Sequence, residues 1–89
     1  MKAVITVIGK DRTGIIARVS GLLYEHNVNI LDISQTILGD LFTMVMLADS
    51  QTSDLSFEEL QEALNKQGTE MGVETRVQRY DIFEAMHRI

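Results

Sequence analysis

Apolar positions along the chain change period several times, and each change marks an element. Over residues 2–8 apolar side chains occupy both parities, Ala3, Ile5 and Val7 on one and Val4 and Ile8 on the other. This pattern suits a central strand covered on much of both faces. Over 14–26 the period lengthens: Ile15, Ile16, Val19, Leu22 and Leu23 recur at helical spacing, with Arg18, Tyr24 and Glu25 largely on the other side. Ser20-Gly21 inside this helix costs propensity and leaves room for close packing, and His26-Asn27 ends it. Residues 28–38 and 41–48 read as two further strands. Between them Gly39-Asp40, glycine first, predicts a type II′ hairpin turn. In the second strand Leu31, Ile33 and Ile37 share one parity and Val28, Ile30 and Leu38 the other, so the phase slips near Leu31-Asp32 and predicts a bulge. The third strand is apolar on both sides.

After the polar stretch 49–55, Ser56-Phe57-Glu58-Glu59 spells a capping box, with Leu55 and Leu60 placed as a hydrophobic staple. Phe57, Leu60, Leu64 and Met71 continue one helical face, which ends at Gly68 or, better placed, at Gly72. Over 73–80 Val73, Thr75 and Val77 alternate with Glu74, Arg76 and Gln78, as on an edge strand with one wet face. A tail of about 81–89 is expected to be helical, with Asp81 as its cap, Glu84 in the box position, and Ile82, Phe83, Met86 and Ile89 as a stripe.

The resulting order, β-α-β-β-α-β plus a tail helix, predicts an α+β domain spanning 1–89: a ferredoxin-like antiparallel sheet with two helices on one face and a short C-terminal helix. Right-handed crossovers place strands one and three in the middle, flanked by four and two. The other face stays open although strand three is apolar there, so self-association, cover by the tail helix, or both are expected.

Composition narrows the function. An 89-residue chain that is 45% apolar holds one core. The lack of cysteine removes disulfide frameworks and thiolate metal sites. No stretch reads as a signal peptide or membrane span, so a cytoplasmic, membrane-free protein is expected. A net charge of −5 with scattered basic residues opposes direct nucleic-acid binding.

Candidate chemistry concentrates in Gly9-Lys10-Asp11-Arg12-Thr13-Gly14-Ile15-Ile16, between the first strand and helix. Two glycines bracket four polar residues, and the N–H groups of a helix start follow. This is either an anion- or zwitterion-binding loop or a plain strand-to-helix connection. It is not a P-loop, because Ile-Ile follows the second glycine. In the expected topology the loop lies at one end of the sheet and Asn29 at the other. A helix of about thirteen residues separates them by roughly 20 Å. Two subunits whose second strands pair antiparallel across a two-fold axis would bring one chain's loop to the other's Asn29.

Asp11-Arg12-Thr13-Gly14-Ile15-Ile16, followed after one helix by Val28-Asn29-Ile30, resembles the ACT domain, a small regulatory ligand-binding module. The resemblance covers the whole chain. It is nearest to short, stand-alone ACT proteins, given Ile82-Phe83-Glu84-Ala85-Met86. The chain is also similar to the ACT domains of glycine-cleavage transcriptional repressors around Leu38-Gly39-Asp40-Leu41-Phe42-Thr43-Met44. Thr13 stands where the family commonly has proline. The resemblance implies an amino acid bound at a homodimer interface by Asp11, Arg12, Thr13, Gly14 and Ile15 of one chain and Asn29 and Ile30 of the other. Asp11 would take the ligand ammonium, the N–H groups near Gly14 and Ile15 its carboxylate, and Asn29 a hydrogen bond from across the interface. No cofactor is implied. With no effector domain in 89 residues, the output is expected to pass through another protein.

Bland alternatives stand beside these. Asp11 also suits a helix cap, Arg12 a solvated position and Asn29 a turn. His26 and His87 are expected near helix C-termini, where imidazole suits the dipole, and their setting does not suggest a metal site. The runner-up functions are a ligand-free regulator of the glycine-cleavage repressor type and, further off, an acylphosphatase-like hydrolase using Arg18. The aromatic residues and strand-two Asn of that enzyme family are missing here, and no nucleophile-base set is present.

Overall fold

Strands and helices succeed one another as the hydrophobic pattern implies. In the computed structural model, residues 1–10 and 12–86 are described, Arg12 and Met86 by their backbone alone. The elements are β1 (Lys2–Gly9), α1 (Arg12–Glu25), β2 (Asn29–Leu38), β3 (Leu41–Asp49), α2 (Phe57–Met71), β4 (Glu74–Arg79) and α3 (Tyr80–Met86). The strands form one antiparallel sheet in the order β2-β3-β1-β4. This is the ferredoxin-like arrangement, with the most apolar strands, β1 and β3, in the centre.

Cross-strand pairing assigns the two faces. Ile5 lies opposite Met46 and Val77, and Val7 opposite Met44. These residues are buried in one cluster with Ile15, Val19 and Leu23 of α1 and Leu60 and Leu64 of α2. Each large side chain so buried contributes roughly 1.5–3 kcal/mol relative to exposure. On the opposite face Lys2 Nζ stands 5.9 Å from the ring centroid of Tyr80 in α3, and Val4 is only 4% exposed. The tail helix therefore covers the β1–β4 half of that face, and the β2–β3 half stays open.

Local chemistry explains the boundaries. Ser56 and Glu59 form the reciprocal capping box: Glu59 N–H donates to Ser56 Oγ at 3.1 Å, and Ser56 N–H to Glu59 Oε1 at 2.9 Å. Both long helices close with the same motif. Val28 N–H donates to the Leu23 carbonyl and Val73 N–H to the Gly68 carbonyl, each at 2.9 Å, around left-handed Asn27 (φ 57) and Gly72 (φ 72). Gly39 turns the β2–β3 hairpin with φ 63, whereas Asp40 keeps a negative φ, as a type II′ turn requires. The bulge falls at the phase slip: the β2–β3 register shifts between Ile30 and Asp32. That shift sets Ile33 opposite Met46 and Ile37 opposite Phe42, on the helix side of the sheet.

Two expectations are corrected. The tail helix starts at Tyr80, one residue before its expected cap, because the chain passes from β4 into α3 without a turn. Asp81 is then a first-turn residue paired with Arg79 at 3.0 Å, and Glu84 accepts from the Tyr80 hydroxyl at 2.9 Å. Ile82 is 49% exposed and so leaves the expected stripe; Ile89 lies outside the described residues. Gly21 supports no close packing within the chain, since a Cβ there would meet nothing within 4 Å. His26 directly follows α1, as expected, and its Nδ1 lies 3.2 Å from Asp54 Oδ1 of the loop before α2. His87 lies outside the described residues.

Candidate functional site

β1 ends at Gly9 directly beneath the point where α2 turns into β4. A Cβ on Gly9 would stand 2.4 Å from Val73 Cγ1 and 3.0 Å from Ile15 Cδ1. Glycine is thus required for the backbone to pass between them. The loop after Gly9, the first turns of α1 and the last turn of α2 then surround an open cleft of about 620 Å³, a size that suits a small metabolite. Its apolar lining comes from Ile15, Leu41, Met71 and Val73, and its charged lining from Lys10, Arg18 and Glu70. Gly9, Gly14 and Gly72 complete the wall with backbone.

The charges are held loosely. Lys10 Nζ lies 3.7 Å from Asp40 Oδ2, with the two side chains 78% and 83% exposed. Such an exposed pair adds little stability. Neither Arg18 nor Glu70 has an ion-pair partner among the described residues. The Arg18 carbonyl accepts from Gln67 Nε2 at 2.8 Å, which ties α2 to α1 beside the cleft.

The expected site residues divide between the two ends of the sheet. Gly14 and Ile15 line the cleft, Ile15 only 1% exposed. Thr13 is exposed in the first turn of α1, and Arg12 opens that helix. Asp11 lies outside the described residues. Asn29 and Ile30 are far away: Asn29 pairs with Asp49, which pairs with Lys2, whereas Gly9 pairs with Phe42 at the opposite end. No single chain joins the two halves. Sequence reading did not reach Leu41, Glu70, Met71 and Val73 as cleft residues, and it singled out Arg18 only as the basis of a hydrolase. No short-range pattern signals them: Gly9 leads toward α1 and Gly72 closes α2, and only the fold brings the two together at the cleft. Among the described residues no group of three or more His, Cys, Asp or Glu is placed to hold a metal ion.

Comparison with known proteins gives this architecture its class. The model of the ACT domain matches residues 2–78, and the chain belongs to that family, whose domains are regulatory ligand-binding modules. Within it the chain is similar to a UPF0237 protein of Methanopyrus kandleri, 56% identical over 88 residues that cover 99% of this chain and 98% of that one. Among solved structures, an ACT domain protein from Streptococcus pneumoniae superposes with a TM-score of 0.82 at 44% identity, covering 98% of both chains. A putative glycine cleavage system transcriptional repressor superposes with a TM-score of 0.72 at 27% identity, over 86% of this chain and 44% of that one. No described helix is long and apolar enough to cross a membrane.

Proposed function

We propose that the protein is a cytoplasmic sensor that binds an amino acid as a homodimer and passes occupancy to an effector protein. One observation carries this reading. The loop end of the cleft and Asn29 lie at opposite ends of a sheet whose β2 edge has no strand beside it. Along that edge Leu31, Ile33, Ile37 and Leu38 are 43%, 38%, 52% and 77% exposed. An unpaired edge with this much apolar surface calls for a partner strand. Antiparallel pairing of two β2 strands about a two-fold axis at Ser34 sets Asn29 of the partner subunit opposite Gly39. That glycine adjoins Asp40, which contacts Lys10, and it lies two residues from Leu41, which lines the cleft. The dimer completes on one chain the site that each chain alone lacks.

In this arrangement Asp11 takes the ligand ammonium, and the N–H groups of Gly14 and Ile15 take its carboxylate. Arg12 and Thr13 flank the loop. Asn29 and Ile30 of the partner subunit close the site from across the interface. Ligand that binds only one relative setting of the subunits favours that setting by its differential affinity, which is the signal an effector reads. No catalytic role is assigned to any residue.

A second reading, a regulator that works without ligand, is favoured by the superposition on the glycine-cleavage repressor. A thermal-shift screen of the twenty amino acids, with mass measured in solution, separates the two. The sensor gains about 2.7 kcal/mol at a ligand concentration of 100 Kd. A dimer unmoved by every amino acid is the second kind.

A further inference from the structure

Arg18 and Glu70 bear opposite charges and line one cleft while remaining exposed, and neither has an ion-pair partner among the described residues. Arg18 stands one helical turn beyond Ile15 on α1, and Glu70 lies in the last turn of α2. The family resemblance assigns neither residue to ligand. The same cleft is lined by apolar Ile15, Met71 and Val73. A ligand whose ammonium and carboxylate are held at the loop directs its side chain into this space.

Resting on the proposed amino-acid site, we propose that Arg18 and Glu70 select the ligand's side chain, and that the class selected is neutral and dipolar, namely a carboxamide. A guanidinium offers only donors and a carboxylate only acceptors. A carboxamide presents an acceptor oxygen to the first and donor hydrogens to the second, while its methylenes lie on the apolar lining. An acidic side chain pairs with Arg18 but meets Glu70 as a like charge, and a basic one pairs with Glu70 but meets Arg18 as a like charge. Each mismatch places like charges together, which is an efficient way to exclude a near-isostere. A purely apolar side chain covers the lining but makes no hydrogen bond to either charged group.

The test is calorimetric titration of the intact protein with glutamine, glutamate, lysine and norleucine, repeated on Glu70→Gln and Arg18→Gln. The wild type is expected to bind glutamine tighter than each of the other three by about tenfold. Glu70→Gln should close most of the gap to glutamate, and Arg18→Gln most of the gap to lysine. Circular dichroism melts show whether either variant remains folded. If a variant unfolds, the wild-type ranking alone decides. Tight binding of norleucine or glutamate at the level of glutamine overturns this proposal and leaves the amino-acid site standing. No binding of any of the four, in a dimer that also ignores the remaining amino acids, overturns the site and this proposal together.

Discussion

Gly9 and Val73 approach so closely that a Cβ on the glycine would lie 2.4 Å from Val73 Cγ1. This contact seats the loop under the end of α2 and forms the back of the cleft. Gly9→Ala is therefore expected to destabilise the fold by about 1–3 kcal/mol through overpacking. Val73→Ala in the same chain should recover part of that loss, because it removes the atom that clashes. Denaturant unfolding of the two single variants and the double variant measures the coupling. Purely additive losses would contradict the contact.

Thr75 presents a different economy. Its Oγ1 is buried without a hydrogen-bond partner among the described residues, and it lies 2.3 Å from where a Cβ on Gly68 would stand. A buried hydroxyl with no partner carries a desolvation cost of about 1–3 kcal/mol. Thr75→Val keeps the shape and removes that cost, so a rise in the urea midpoint is expected. Gly68→Ala should lower it, since the helix cannot move away from β4 without opening the core at Leu64.

The two helix signals at the ends of α2 are open to the same measurement. Ser56→Ala removes one arm of the capping box and is expected to cost about 0.5–2 kcal/mol. Gly72→Ala forces a side chain into a left-handed position, φ 72, with an expected cost of about 1 kcal/mol. Equal stability of the wild type and Gly72→Ala would mean that the turn relaxes to another conformation.

These local devices were legible before any coordinate. The capping box, the Gly39-Asp40 turn and the phase slip at Leu31-Asp32 each depend on residues within a few positions of one another. Strand order followed from handedness and from where apolar residues occupied both parities. The cleft was half legible. Its α1 wall follows the loop in sequence, but Glu70, Met71 and Val73 reach it only because α2 ends over the same edge of the sheet, and no short-range pattern encodes that meeting. The tail helix begins one residue before Asp81, although Asp81 and Glu84 are spaced as a capping box. Arg79 and the Tyr80 hydroxyl engage those carboxylates first.

The β2 edge makes a prediction about assembly. Ile33 and Ile37 face the helix side of the sheet and remain 38% and 52% exposed, where a second β2 and its α1 would cover them. Gly21, with open space beyond it, leaves room for that approach. Ile33→Lys combined with Ile37→Lys is expected to yield a folded monomer by light scattering, with no amino-acid response. A wild-type chain that is itself monomeric at micromolar concentration would remove the basis of a shared site.

Asn29 and the loop meet only if two chains cooperate, and a mixed dimer tests this most directly. Asp11→Ala and Asn29→Ala homodimers are each expected to lose amino-acid binding. Refolding the two chains together gives heterodimers in which one site carries both substitutions and the other carries neither. The account predicts that binding returns at wild-type affinity, with one ligand per heterodimer by titration calorimetry. A mixture that binds no better than its two parents would contradict a site built from both chains.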